Sequence, residues 1–411
     1  MDHSLANGFP IKEVVLLPLY DWLACGMYLM NGMATVALGS VLPVFIHHYQ
    51  SSYMFGSDLV FAQFVGYLVG VPLSPVLVKT RGYPAAIAMA ATATGIAEIV
   101  FGTLPTVWWC IAMSLINGVG MALLQATIST SLVEWFPTSR AVVMSRTEAA
   151  FGLGCVITPL LASWFIRVGI WRMDFFVVGA LAVLLAAITF MTPIVQPEHH
   201  TGPIDAPTAA VNIARRSEKW LLFALFMFAI LVYVGVESCV NNFFPAIFAN
   251  HLHLSASTAS LSVSLFWIAM VIGRMATGWV IRRLPYRPYL MLATGGTLVV
   301  ILAIAATRLP FVAYIEACAT GIFMSGIYVV TLVFANHSFP EMTTLVTRLV
   351  TFFAGIGGAI VPTVFGWLIT RSSTVVAVLC LGPFAAILLM TIVTASAFTR
   401  SRSRLSQSTA G

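Results

Sequence analysis

The sequence predicts an all-α membrane protein whose twelve transmembrane helices form two six-helix repeats in the same orientation. Three observations predict this fold class: a very apolar composition, twelve apolar runs of membrane-crossing length, and an internal repeat with a fixed offset. Of 411 residues, 60% are hydrophobic and 8% are charged, and the mean hydropathy is +0.97. Soluble domains carry about 25% charged residues, so the chain lies outside that class.

Each apolar run is long enough to cross a bilayer as a helix, which takes about 20 residues. Helices and closed barrels are the structures that satisfy backbone polar groups in lipid, and these runs lack the alternation of barrel strands. The sequence therefore predicts membrane helices at 19–46, 57–78, 83–103, 105–133, 142–166, 172–193, 219–249, 258–281, 287–307, 310–336, 342–370 and 374–398.

The positions of Lys and Arg predict the orientation of the chain. If the N-terminus is inside, four of the 20 Lys and Arg residues lie on the external side, namely Arg167, Arg172, Arg308 and Arg371. Arg274 lies within a helix, and the others lie on the cytoplasmic side. The positive-inside rule then predicts a multi-pass protein of the inner (cytoplasmic) membrane with both termini in the cytoplasm. This bias also accounts for the net charge of +6, so no nucleic-acid partner is expected.

The repeat is clearest in two segments, "FGLGCVITP" (151–159) and "AGIGGAIVP" (354–362). Each has a Gly-x-Gly pair followed by a proline at the same spacing, and Gly152 and Gly355 are 203 residues apart. The same offset, within one residue, relates Pro43 to Pro245, Gly70 to Gly273, Tyr83 to Tyr286 and Phe136-Pro137 to Phe339-Pro340. Several matches in one register indicate a duplicated unit.

The repeat divides the chain into four predicted parts. These are an N-terminal six-helix half (1–193), a cytoplasmic linker (194–218), a C-terminal six-helix half (219–398) and a basic cytoplasmic tail (399–411). Two parallel six-helix repeats resemble the plan of the major facilitator superfamily. The resemblance implies a substrate site near the membrane midplane between the halves, exposed to each side in turn.

The segment "YVGVESCVNNFF" (233–244) places polar side chains inside the seventh apolar run. Tyr233, Glu237 and Asn241 are spaced i, i+4 and i+8, so they share one helical face. A charged side chain at the bilayer centre costs on the order of 3 kcal/mol, less where its face meets a wet cavity or where the acid is protonated. We therefore predict that this face binds solute and that Glu237 carries a coupling proton.

The repeat extends this face to the first, fourth and tenth helices, which line the cavity in the resembled fold. Tyrosine rings can stack on a hydroxyl-bearing solute while amides bind its edge. The predicted solute-binding residues are Tyr28, Asn31, Gln125, Tyr233, Asn241, Asn242 and Tyr328. For any one of these Asn, Gln or Tyr residues the alternative is a structural hydrogen bond between helices.

Four segments resemble the fucose:proton symporter family within that superfamily. They are "YVGVE" in the seventh helix, "GRMATGWVIRR" (273–283), "IFMSGIYVVTLVFA" (322–335) and "IGGAIVPTVFGWLI" (356–369). The resemblance implies symport of a small sugar-like solute with a proton by alternating access. It implies no cofactor and no metal; the partners expected are the solute, the proton and the lipid bilayer, with the protein a monomer.

The chain departs from that family at its two expected carboxylates. Ser40 and Gln125 stand where the fucose symporter family has an Asp in the first helix and a Glu in the fourth. Another acid must then carry the proton: Glu237 is the first choice and Glu148 the second. Glu148 has an alternative interpretation as an ion-pair partner of Arg140 or Arg146, and the protein could also be an uncoupled facilitator.

The superfamily's cytoplasmic gate motif, Gly-x-x-x-Asp-Arg-x-Gly, is altered in both halves. Lys79 and Arg282 occupy the Asp position in "PVLVKTRG" (75–82) and "GWVIRRLP" (278–285). The basic residues of these segments are therefore gate or structural candidates, namely Lys79, Arg81, Arg282 and Arg283. We interpret Arg274 as structural, through snorkelling or through a carboxylate partner.

Other interpretations remain open. A drug or metabolite:proton antiporter is disfavoured because "VITPLLAS" lacks the Gly-Pro and glycine pair typical of the fifth helix in such antiporters. A membrane sensor that does not transport is disfavoured by the polar faces in both halves, and no enzyme site is apparent. Glu98 and Glu316 lie near the predicted outer ends of their helices and are expected to face water.

Overall fold

The computed structural model describes residues 11–136, 139–192 and 216–408. These residues form thirteen α-helices and one short 3-10 turn at Pro340–Met342. The helices are α1 (Ile11–His48), α2 (Tyr53–Arg81), α3 (Tyr83–Gly102), α4 (Val107–Trp135), α5 (Arg140–Val168), α6 (Met173–Met191), α7 (Arg216–His251), α8 (Ala256–Arg283), α9 (Tyr286–Ala306), α10 (Pro310–Met324), α11 (Ile327–Ser338), α12 (Thr343–Arg371) and α13 (Thr374–Ser408).

Twelve stretches of these helices are long and apolar enough to cross a membrane. Eleven fall in single helices, and α10 with α11 supplies the tenth, Pro310–Ser338. The predicted all-α membrane fold with twelve spans is confirmed. The predicted linker lies outside the described residues from 194 to 215, and α13 continues into the predicted basic tail as far as Ser408.

The tenth span is broken at Ser325 and Gly326. The Ser325 hydroxyl donates to the carbonyl of Ile322 over 2.7 Å, which satisfies an acceptor at the end of α10. A side chain at Gly326 would overlap the Tyr289 hydroxyl of α9, so only glycine fits this close contact. Broken helices place backbone carbonyls at binding sites in many transporters.

Glycines from the repeated motif allow two close helix crossings. A Cβ at Gly154 on α5 would overlap the Leu29 carbonyl of α1. Gly357, its repeat equivalent on α12, lies in the same way against the Leu231 carbonyl of α7. The two crossings thus have the same geometry at positions that the repeat relates.

The described residues separate into two compact units. The first lies within Met1–Thr35, Gly66–Cys155 and Arg172–Ile204, and the second within Val36–Val65, Val156–Trp171 and Asp205–Gly411. In the first, the Trp135 ring packs against the rings of Tyr20 and Tyr83, with centroid distances of 4.6 and 5.2 Å. The residue ranges of the second unit combine α7–α13 with the ends of α1, α2 and α5 that are predicted to be external.

Within the second unit, these ends pack directly against the C-terminal helices. The Met54 amide of α2 donates to Thr370 Oγ1 of α12 over 3.0 Å. The Ser264 hydroxyl of α8 donates to the Val156 carbonyl of α5 over 2.9 Å, and Ser260 donates to the Pro159 carbonyl over 3.2 Å. The predicted external ends of the first repeat are thus joined to the second repeat.

The expectation that Glu98 faces water is wrong. Glu98 is 2% exposed, because its carboxylate on α3 points toward α4 and accepts a hydrogen bond from the Asn117 amide over 2.7 Å. Glu316 on α10 is half-buried and accepts a hydrogen bond from the Thr307 hydroxyl over 2.7 Å. Position near a helix end did not predict exposure, because packing between helices extends to that end.

Candidate functional site

The polar face of α7 begins at Tyr233, which is fully buried. Its hydroxyl donates to the carbonyl of Met324, the last residue of α10, over 3.0 Å. The same hydroxyl also interacts with the Glu237 carboxylate one turn along α7. The Tyr233 hydroxyl thus interacts both with the Met324 carbonyl at the break between α10 and α11 and with Glu237 on the polar face of α7.

Glu237 has a basic partner on the neighbouring helix. Arg274 of α8 approaches it with Nη2 3.7 Å from Glu237 Oε1, and the two side chains are 30% and 15% exposed respectively. The interpretation of Arg274 as structural through a carboxylate partner now has a named carboxylate. A guanidinium beside a partly buried carboxylate offsets part of the free-energy penalty of placing that charge in an apolar bundle.

Trp267 joins Asn241 to this ion pair. Its indole N–H donates to Asn241 Oδ1 over 2.9 Å, and its ring faces the Arg274 guanidinium, 5.4 Å from the ring centroid. Trp267 and Arg274 are two helical turns apart on α8, so they share a face. We call Tyr233, Glu237, Asn241, Trp267 and Arg274 the α7–α8 cluster.

Trp267 was not predicted from the sequence. The signal was present, because Trp267 lies seven residues before Arg274 and therefore on the same side of α8. Because Arg274 was interpreted as structural, that side of α8 was not recognised as part of the solute-binding region.

The two remaining predicted residues of the second unit lie beside the α7–α8 cluster. Tyr328 at the start of α11 is half-buried, with its ring centroid 6.5 Å from that of Tyr233. Asn242 is buried and its amide donates to the Ser238 carbonyl on its own helix over 2.9 Å. Within the described residues, Asn242 Oδ1 has no hydrogen-bond partner, so an acceptor remains for a ligand.

Helices α1 and α7 meet at positions that the repeat relates. A Cβ at Gly39 of α1 would lie 2.5 Å from the Asn241 carbonyl and 2.8 Å from Asn242 Cα. Gly39 is the repeat equivalent of Asn241. The backbone of α1 therefore lies directly against the outer end of the polar face of α7.

The first unit contains a separate polar cluster on α1, α2 and α4. Gln125 Oε1 accepts a hydrogen bond from the Tyr67 hydroxyl over 3.0 Å. The Tyr28 hydroxyl and the Ser129 hydroxyl are hydrogen-bonded at 2.6 Å. Asn31 is 1% exposed, and its Oδ1 has no hydrogen-bond partner among the described residues.

Tyr67 was also missed from the sequence. Its repeat position is Met270, so the repeat carried no polar signal there. The hydrogen bond depends on the rotation of α2 about its axis, which a single apolar run does not specify.

The second candidate acid, Glu148, is exposed and interacts electrostatically with Tyr28. Arg146, one of its suggested partners, donates to Asp21 Oδ2 of α1 over 2.7 Å. The remaining gate candidates Lys79, Arg81, Arg282 and Arg283 are exposed. Arg283 stacks on Trp279, 4.5 Å from its ring centroid.

Comparison with known proteins gives a family match along both halves. The family model of the Major Facilitator Superfamily matches residues 24–236 and 226–410. The glucose/mannose transporter GlcP of Bacillus subtilis (strain 168) is 26% identical over 349 residues, 83% of this chain and 86% of that protein. The protein TsgA of Escherichia coli O157:H7 is 23% identical over 244 residues, 59% of this chain and 58% of that protein.

Two solved structures share the fold. The nucleoside transporter NupG has a TM-score of 0.71 at 14% identity, covering 91% of this chain and 97% of that chain. A D-xylose-proton symporter has a TM-score of 0.68 at 15% identity, with the same coverage of 91% and 97%. The predicted resemblance to this superfamily is confirmed, and these structures show a common architecture.

Proposed function

We propose that this chain, which belongs to the Major Facilitator Superfamily, is a secondary transporter that moves a small, polar, sugar-like solute by alternating access. The substrate class is supported by the glucose/mannose transporter GlcP, which is similar to the chain over most of both lengths. The D-xylose-proton symporter with the same fold is consistent with sugar transport coupled to protons.

The observation that carries the proposal is the α7–α8 cluster. A carboxylate, a guanidinium and an amide lie on the adjacent helices α7 and α8 beside an indole ring. Sugar hydroxyls donate to carboxylate and amide oxygens and accept from guanidinium N–H groups, while the face of a sugar ring packs on an aromatic surface. These groups therefore match a polyhydroxylated solute.

The coupling step we propose is the protonation of Glu237. Ionised Glu237 attracts Arg274 at 3.7 Å. Protonated Glu237 has lost the charge that attracts the guanidinium, so Arg274 can turn toward a solute hydroxyl. Proton binding and solute binding are then linked through one side chain, and an inward proton gradient drives solute accumulation.

The remaining assignments are proposals from the sequence. Tyr28, Asn31 and Gln125 contribute further solute contacts from the first repeat, and Glu148 is the second candidate for the proton carrier. The chain is proposed to work as a monomer in the inner membrane. The distribution of Lys and Arg supports the proposal that both termini lie in the cytoplasm. An uncoupled facilitator and a proton antiporter are the alternative transport modes.

Counterflow in proteoliposomes tests the substrate class. Vesicles loaded with unlabelled glucose, mannose or xylose should take up the labelled solute at a saturable rate, and protein-free vesicles should not. Exchange of nucleosides or cationic drugs without exchange of any sugar would contradict the sugar-like assignment. Saturable binding of a sugar with no exchange would contradict transport and favour a sensor.

A further inference from the structure

A second buried polar cluster lies in the first unit and consists of residues that are not assigned to solute binding. Glu98 on α3, Asn117 on α4 and Asp174 on α6 are 2%, 4% and 1% exposed. Three helices therefore direct polar side chains into one region of a membrane-embedded bundle, and two of those side chains are carboxylic acids.

The contacts within this cluster leave several acceptor atoms open. Asn117 Nδ2 donates to Glu98 Oε1 over 2.7 Å, which fixes the amide beside the acid. The Glu98 carboxylate also acts electrostatically on the Asp174 carboxyl, which adds to the cost of charging both acids. Four buried oxygens have no hydrogen-bond partner among the described residues: Glu98 Oε2, Asn117 Oδ1 and both carboxyl oxygens of Asp174.

The cluster has no compensating basic side chain in the described part of the chain. Arg172 is the nearest in sequence, two residues before Asp174, and it is exposed to the surroundings of the bundle. A buried carboxylate without a positive partner is strongly destabilising, and two neighbouring carboxylates repel each other as well. Either a bound cation or protonation of the acids relieves this cost.

We propose that Glu98, Asn117 and Asp174 form a binding site for a hard cation such as Na⁺, Mg²⁺ or Ca²⁺. Hard cations prefer carboxylate and carbonyl oxygens, and the open atoms here are of these two kinds. A divalent ion would balance both acids, and Na⁺ would balance one of them. Protonation of both acids is the competing explanation, because it also removes their charges, and an ion titration separates the two.

This cation site does not depend on the proposed transport function, because it is tested by the thermal stability of the purified protein in different ions. The full chain in detergent is first freed of metal with a chelator. Its thermal unfolding is then followed against increasing NaCl, MgCl₂ or CaCl₂, with choline chloride keeping the ionic strength constant. Binding to the folded state should raise the unfolding temperature in a saturable way with at least one of the three ions.

Two variants remove one ligand each while keeping the side-chain shape, Glu98→Gln and Asp174→Asn. Either should raise the half-saturating ion concentration by at least about tenfold, which corresponds to 1.4 kcal/mol of binding free energy. The variant Glu316→Gln is the matched control, since it changes a half-buried acid on α10, and it should respond as the parent does. If one variant fails to fold, the other decides.

The absence of a saturable shift in the parent with all three ions would overturn the site. An undiminished shift in both folded variants would overturn it as well. A parent that responds to none of the three ions and whose unfolding temperature falls as the pH rises would show that the acids hold protons instead.

Discussion

At the scale of single residues, the molecule explains why a carboxylate occurs in the apolar helix α7. Glu237 forms an ion pair with Arg274, interacts with the Tyr233 hydroxyl, and lies one helical turn from Asn241. Each of these groups is held by a further contact, because Tyr233 binds the Met324 carbonyl and Asn241 binds the Trp267 indole. The side chains are therefore oriented before a solute arrives.

Amide truncation tests whether these residues bind the solute. We expect Asn241→Ala and Gln125→Ala each to weaken solute binding by about 1–3 kcal/mol, because a buried hydrogen bond is lost. Equilibrium binding of a labelled sugar to purified protein measures the effect. Asn336→Ala on α11 is the control and should bind as the parent does. Unchanged affinity in both test variants would place the binding site elsewhere.

The ion pair makes a separate prediction about stability. Arg274→Gln should lower the unfolding temperature, because Glu237 loses its basic partner. The loss should be smaller than the about 3–5 kcal/mol of a fully buried pair, because the two side chains are 30% and 15% exposed. The double variant Arg274→Gln/Glu237→Gln should recover much of the loss, since neither charge remains. Thermal unfolding in detergent gives the comparison. A double variant less stable than Arg274→Gln alone would contradict the pairing.

The sequence predicted the polar face of α7, because helical spacing alone brings Tyr233, Glu237 and Asn241 to one side of the helix. It left the partner of Arg274 open and missed Trp267 and Tyr67, because their contacts depend on how neighbouring helices rotate and cross. Glu98 was misjudged for the same reason: position along a helix does not reveal which neighbour covers it. Spacing within a helix is readable from sequence, and contacts between helices are less so.

At the scale of helices, close crossings and one break determine where the polar faces lie. Gly154 and Gly357 let α1 approach α5 and α7 approach α12 at backbone contact. The break after Met324 leaves a carbonyl that the Tyr233 hydroxyl satisfies. The repeated Gly-x-Gly motif was visible in the sequence, whereas the break was not, because the tenth apolar run is continuous.

A pair of glycine substitutions tests the crossing of α7 and α12. Gly357→Ala should destabilise the protein by about 1–3 kcal/mol or more, because its Cβ would overlap the Leu231 carbonyl and force the helices apart. Gly278→Ala on α8 is the control: its Cβ would meet no atom within 4 Å beyond its chain neighbours and its own helix backbone, and alanine favours a helix by up to about 1 kcal/mol. Equal unfolding temperatures for the two variants would contradict the crossing.

At the scale of the whole molecule, the second repeat is joined to the predicted external ends of α1, α2 and α5. The contacts include the Met54–Thr370 and Ser264–Val156 hydrogen bonds and the approach of Gly39 to Asn241. Alternating access requires such contacts to break and reform in each cycle. They are the part of the structure that we expect to move during transport.

A reversible cross-link tests this movement. In a background without the six native cysteines, Met54→Cys/Thr370→Cys should lose counterflow exchange on oxidation and regain it on reduction, because the crosslinked ends can no longer separate. Each single cysteine variant is the control and should be insensitive to oxidation. Full exchange by a protein shown to be cross-linked would contradict the opening of this contact.

In the proposed function, Glu237 couples a proton to the movement of a sugar-like solute. The most direct measurement is paired: counterflow exchange and uptake driven by a pH gradient, in proteoliposomes of the parent and of Glu237→Gln. Because glutamine resembles a permanently protonated glutamate, we predict that the variant exchanges solute and fails to accumulate it, while the parent does both. Full gradient-driven accumulation by Glu237→Gln would contradict the claim and move the assignment to Glu148.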